Sequence, residues 1–187
     1  RYLNKTANVT VIPKNISQDS LLESLEHTET SITFAVGPAG TGKTFIASYL
    51  ALEEVLDKSS NYEKIIFVRS AVPTRDMGFL PGTQEEKEEA YKAPYKAITT
   101  ELFEDPTAWD KLVTMKSVEY LTTSYIRGLT IHNAIIIIDE AQDISVSELK
   151  FVAGLVGDKT DGLFFAGDLG QRIFRQPFSW KSLGVDV

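Results

Sequence analysis

The chain has no cysteine and only two histidines, His27 and His132, in 187 residues. The first absence excludes a disulfide framework and any thiolate metal site. The second leaves no imidazoles at ligand spacing, so no histidine metal centre is expected. Long apolar runs are missing too. None approaches the ~18–20 residues needed to cross a bilayer, and the opening RYLNKTANVT lacks the apolar stretch of a secretory signal. A soluble, cytoplasmic protein with no membrane partner is the resulting expectation. Positive charge is also scarce: Lys and Arg total 19 against 26 Asp and Glu, a net charge of −7. That counts against a nucleic-acid binder basic over its whole surface, but not against a local track of amides, hydroxyls and a few cations. With 43% hydrophobic and 24% charged residues, residues 1–187 suit one globular domain with a full-sized core.

The remaining chain is organised around Gly37–Thr44, GPAGTGKT. An apolar run, Ile32–Val36, precedes it, and Phe45 to Val55 follows with helical spacing. Strand, glycine loop and helix form the context in which G-x-x-x-x-G-K-[ST] cradles phosphate. A glycine-rich turn with an incidental lysine would need neither flank. Gly37, Gly40 and Gly42 are expected at positive φ, so that Gly37, Pro38, Ala39, Gly40, Thr41 and Gly42 wrap closely round an anion. The helix N-terminus adds its positive end. Lys43 is expected on the β- and γ-phosphates and Thr44 on Mg²⁺, the only metal anticipated.

Upstream, Val9–Ile12 reads as a short strand ended by Pro13, and Ser17 or Asp19 can cap a helix carrying Leu21, Leu22 and Leu25. Downstream, Lys64–Val68 is a second strand, placing Arg69 at the edge where open α/β sheets bind ligands. A loop with Pro73, Gly78, Pro81 and Gly82 follows, then a charged, helix-prone stretch from Gln84 to Phe103 that Pro94 is expected to interrupt. Its acidic run, 85–89, reads as a solvated helix face. After a short helix from Ala108 to Met115, Ser117–Leu121 is a third strand, with Thr122, Thr123, Ser124, Tyr125 and Arg127 at its outlet. These residues and Arg69 are the candidates for holding single-stranded nucleic acid, through ring stacking and phosphate contacts.

Ile135–Ile138, a pure apolar run, ends in Asp139-Glu140-Ala141-Gln142. A buried strand delivering paired acids is the Walker B arrangement. Asp139 is expected to hold Mg²⁺ and Glu140 to orient the attacking water, although two such acids can also just cap a following helix. A helix from Val146 to Val156 and a fifth strand, Leu163–Ala166, lead to Gly167-Asp168-x-x-Gln171. Gln142, Asp168 and Gln171 are the expected γ-phosphate sensors.

Several of these segments together carry a family likeness. Asn15-x-x-Gln18, GPAGTGKT, Arg69–Pro73, GFLPG at 78–82, Lys87, Pro94-Tyr95, Tyr125–Gly128 and Asp139–Gln142 make residues 9 to about 142 resemble the PhoH family. These are phosphate-starvation-inducible ATPases of bacteria and tailed phages, and the variant resembles the phage lineage. Ser70 stands where the common pattern has proline, and Leu129 replaces a second arginine, leaving Arg127 alone. Asn15-x-x-Gln18 also resembles the helicase Q motif, which implies an adenine contact for Gln18. From about Asp139 the sequence is similar to superfamily-one DNA helicases of the UvrD and Rep type, as in a chimera joined at Walker B.

The expectation is an α/β RecA-like P-loop domain, three-layered, with a mainly parallel sheet of about five strands. The expected function is Mg²⁺-dependent ATP hydrolysis coupled to single-stranded RNA or DNA. The PhoH resemblance implies a homo-oligomeric, hexamer-like ring, with Arg172 or Arg175 as candidate arginine fingers. The UvrD-like end, which stops at Val187 without a second RecA-like domain, would disturb that ring. One rival is a nucleotide-holding module without turnover; another is a small-molecule kinase, which would need an arginine-bearing lid and usually lacks Asp-Glu-Ala-Gln.

Overall fold

A computed structural model describes residues 32–70, 84–126, 129, 131–153 and 162–167. Its strands are β1 (Ile32–Val36), β2 (Lys64–Arg69), β3 (Val118–Thr122), β4 (Ala134–Ile138) and β5 (Gly162–Gly167). The helices are α1 (Lys43–Leu56), α2 (Gln84–Phe103), α3 (Ala108–Thr114), α4 (Thr123–Ile126) and α5 (Val146–Ala153), with a 3₁₀ turn at Ala141–Asp143. Among the described residues no helix is long and apolar enough to cross a membrane.

The strands form one sheet in the order β1-β5-β4-β2-β3, each neighbouring pair parallel. Parallel strands need covering on both faces, and side-chain alternation supplies the covering. Ile65, Phe67, Val118 and Ile137 face a cluster built from α1 (Ala47, Ala51, Leu52, Val55), Tyr95 and Leu102 of α2, and Trp109 and Leu112 of α3. Ile66, Val68, Ile136 and Ile138 face the opposite cluster, with Ile126, Ile131, Ile144 and Val152. The α/β/α layering follows directly, and it explains why the interior of β2 (residues 65–68) and the whole of β4 read as unbroken apolar runs.

The strand order positions the site. β5 lies between β1 and β4, so chain connections leave β1 and β4 in opposite directions along the sheet. Such a reversal opens a crevice at the strands' C-terminal edge. Register makes the edge even: Val36 pairs with Gly167, Val68 with Ile138, and Arg69 with Thr122. Asp139 extends the β4 ladder, its N–H donating to the Val68 carbonyl at 3.0 Å. The glycine loop, the acidic pair and Arg69 therefore emerge on one rim.

One local expectation is corrected. Pro94 does not interrupt its segment; α2 runs unbroken from Gln84 to Phe103 with the proline inside. Proline removes one helical hydrogen bond and crowds the preceding turn. Packing of the next residue opposes that cost. Tyr95 is fully buried, its ring stacked 4.4 Å from Phe67 and 6.2 Å from Trp109, and each such aromatic pair adds about 0.5–1.5 kcal/mol beyond area burial.

Candidate nucleotide site

The loop after β1 is tied at its start, the Gly37 N–H donating to the Gly167 carbonyl at 3.2 Å. Gly40 (φ 74°) and Gly42 (φ 84°) take the left-handed conformation, and Gly42 accepts the first helical bond of α1 from Ile46 at 2.9 Å. Gly37, expected to do likewise, is not among the residues at positive φ. The sharp turning is done by the later two. Lys43 folds over the loop, its Nζ donating to the carbonyls of Gly37 and Pro38, both at 2.8 Å, and to Thr41 Oγ1 at 3.3 Å. The ammonium is thus held within the loop's concavity.

Asp139 is the hub of the site. It is 8% exposed, and each carboxylate oxygen has its own donor. Thr44 Oγ1 donates to Oδ1 at 2.7 Å, joining segments 95 residues apart. Tyr95 OH donates to Oδ2 at 3.0 Å. Burial and the adjoining Asp139 charge push the Tyr95 phenol well above its usual pKa, so it remains a donor.

Glu140 sits beside this hub at φ 51°, a left-handed conformation that costs a non-glycine residue about 1–2 kcal/mol. Gln142 Nε2 donates to Glu140 Oε2 at 2.5 Å, and Arg69 Nη2 lies 3.6 Å from Oε1. Arg69 also approaches Asp139 Oδ2 at 4.0 Å, with its side chain 16% exposed, and lies 6.0 Å from the Tyr91 ring centroid. Burial disfavours its charge, but the surrounding phenol and carboxylate groups outweigh that and raise its pKa. Asp143, buried just beyond, has one carboxylate oxygen without a hydrogen-bond partner. Burial first, and Glu140 second, push its pKa up to about 6.

The donors gathered here are hard oxygens, a hydroxyl and a carboxylate, which suit Mg²⁺. Thr44 Oγ1 and Asp139 Oδ1, at 2.7 Å, are close enough to serve one ion. Among the described residues no group of three or more His, Cys, Asp or Glu forms a metal cage. That donor set fits an ion arriving with phosphate oxygens, as Mg²⁺ usually does.

The structure brings Lys43, Thr44, Asp139, Glu140 and Gln142 together. Arg69, expected on nucleic acid, faces the two acids. Thr123 is buried in α4, whereas Ser124 and Tyr125 are exposed, Tyr125 by 58%. Thr122 is half-buried beside Arg69. Gln18, Arg127, Asp168, Gln171, Arg172 and Arg175 lie outside the described residues, as do the 78–82 motif and the first strand expected at Val9–Ile12. Sequence reasoning missed what Tyr95 and Asp143 do. Pro94-Tyr95 carries part of the family likeness, but nothing local shows that its ring reaches a carboxylate 44 residues away.

Comparison with known proteins matches residues 10–177 to the family described as PhoH-like protein. A PhoH-like protein of Mycobacterium leprae is 35% identical over 150 residues, covering 79% of this chain and 41% of the relative. A PhoH-like protein of Bacillus subtilis is 34% identical over 142 residues, covering 75% and 43%. Protein PhoH of Escherichia coli is 30% identical over 163 residues, covering 86% and 45%. The chain thus spans less than half the length of these relatives. The family match continues to residue 177, past the Walker B segment where the motif reading had it give way near 142 to a UvrD-like end. With its glycine loop, its acidic pair and their joint at Thr44 and Asp139, the chain belongs to the PhoH-like family of P-loop ATPases.

Proposed function

We propose that this domain binds ATP with Mg²⁺, hydrolyses it to ADP and phosphate, and couples turnover to single-stranded RNA or DNA. The observation carrying the proposal is the 2.7 Å hydrogen bond from Thr44 to Asp139. It places the phosphate-binding loop and the acidic strand end at one point, although β5 separates their strands.

The loop amides and Lys43 hold the β- and γ-phosphates, the lysine exchanging loop carbonyls for phosphate oxygens. Thr44 and Asp139 would hold Mg²⁺, which when bound would supply charge neutralisation at the phosphates. Glu140 orients a water for in-line attack on the γ-phosphorus and accepts its proton as the bond to the ADP oxygen breaks. Gln142, bonded to Glu140, reports the state of the γ-phosphate, together with Asp168 and Gln171. Gln18 contacts adenine. Ser124, Tyr125, Thr122 and Arg127 offer stacking and phosphate contacts at the β3 outlet. In an oligomeric ring, Arg172 or Arg175 of one copy reaches the phosphate bound by its neighbour.

Steady-state ATP hydrolysis tests this, with and without single-stranded RNA and DNA, in the unaltered protein, Lys43→Ala and Glu140→Gln. Turnover that rises with nucleic acid and is lost in both variants is expected. Absence of turnover, with Mg-ATP still raising the melting temperature, would leave only a nucleotide-holding module.

A further inference from the structure

We propose that Tyr95 is a positioning residue that sets the metal preference of this site, by occupying Asp139 Oδ2 and leaving Oδ1, beside Thr44, as the oxygen offered to the ion. The inference rests on the Mg-nucleotide reading above and extends it to a residue on another element.

Three observations combine. First, the two Asp139 oxygens are divided between two donors, Thr44 at 2.7 Å on Oδ1 and Tyr95 at 3.0 Å on Oδ2. Second, the phenol cannot easily leave. Its ring is fully buried, stacked 4.4 Å from Phe67 and lying 6.0 Å from Tyr120. Third, Arg69 stands 4.0 Å from the same Oδ2, so that oxygen faces two donor groups while Oδ1 faces the hydroxyl of the phosphate-binding loop.

A carboxylate restricted to one oxygen favours a small ion that demands strict octahedral geometry. A carboxylate free to use both accommodates a larger ion with more ligands. Mg²⁺ and Ca²⁺ differ in just this way. Groups hydrogen-bonded to a metal ligand also tune affinity, typically by 10- to 100-fold when removed. Tyr95 therefore acts through Asp139, without touching the ion.

The test is calorimetric binding of a non-hydrolysable ATP analogue at varied Mg²⁺ or Ca²⁺, in the unaltered protein, Tyr95→Phe and Thr99→Val. Tyr95→Phe keeps the stacked ring and removes the donor. Thr99→Val removes a different buried hydroxyl of α2, one bonded only to the helix's own carbonyls at Tyr95 and Lys96. The expected result is about a tenfold loss of Mg²⁺-supported affinity in Tyr95→Phe, with the Mg²⁺-over-Ca²⁺ ratio falling several-fold. In Thr99→Val the ratio stays unchanged even if stability drops. An unchanged ratio in folded Tyr95→Phe would overturn the proposal. So would an unaltered protein taking Ca²⁺ as readily as Mg²⁺, which needs no variant to fold. Should the unaltered protein bind the analogue equally with and without divalent ions, the Mg-nucleotide reading itself fails and takes this inference with it.

Discussion

Asp143 carries a stability consequence with a definite sign. Its folded pKa, about 6, lies above the ordinary aspartate value of 3.8. Between those values the folded state holds a proton the unfolded state has released, so stability falls as pH rises from about 4 to about 6 and stays reduced above. At neutral pH the ionised carboxylate, with its buried Oδ1 unpartnered, is a burden. Asp143→Asn is expected to stabilise the protein by about 1–2 kcal/mol near pH 7.5. It should change little near pH 4, where the carboxyl is largely protonated. Urea unfolding at both pH values measures this, and an equal effect at both would refute it. Gly167 makes a second residue-scale prediction. A Cβ there would stand 3.0 Å from Gln142 Oε1 and 3.5 Å from its backbone nitrogen. Gly167→Ala should displace Gln142 from Glu140 and lower ATP turnover on the order of tenfold, with nucleotide affinity nearly retained. Comparing kcat with analogue affinity separates the two. At this scale the sequence was most legible where chemistry is written in consecutive residues, as in Gly37–Thr44 and Asp139-Glu140. Arg69 and Tyr95 were opaque because their partners are remote: Tyr95 meets Asp139 across 44 positions, and no spacing rule connects them.

Among the elements, α2 departs furthest from its local signals. Its sequence is charged and contains a proline, yet it forms 20 continuous helical residues. Salt bridges of Lys92 with Glu88 and Glu89, at 3.7 Å each, and the Lys96–Glu89 pair support its exposed face only slightly. The buried face decides, through Tyr95, Thr99 and Leu102. Pro94 itself is exposed, so replacing it should expose mainly its intrinsic helix penalty. Pro94→Ala is expected to stabilise the fold by about 1–3 kcal/mol, read by chemical denaturation. A loss of stability would show that the proline is needed to direct Tyr95 onto Asp139. The strands were easier to foresee than this helix. A parallel strand covered on both faces must be apolar along its length, so β2 and β4 stand out without knowledge of their neighbours.

For the whole molecule, what sequence order does not reveal is spatial order. The last described strand, β5, inserts between β1 and β4. This makes the functional crevice a product of the complete sheet rather than of either motif alone. The Gly37–Gly167 bond at 3.2 Å and the Thr44–Asp139 bond at 2.7 Å tie the glycine loop to the ends of two different strands. Membership of the PhoH-like family and this shared rim lead to one central claim: Thr44 and Asp139 act as a unit on a metal-bound nucleotide. A double-mutant cycle tests it most directly, measuring the Mg²⁺-dependent affinity for a non-hydrolysable ATP analogue in the unaltered protein, Thr44→Ala, Asp139→Ala and the double variant. If the pair acts as a unit, each single change removes most of the Mg²⁺ effect and the double change is little worse, a coupling of roughly 1 kcal/mol or more. Additive losses, or an unaltered protein indifferent to Mg²⁺, would contradict it.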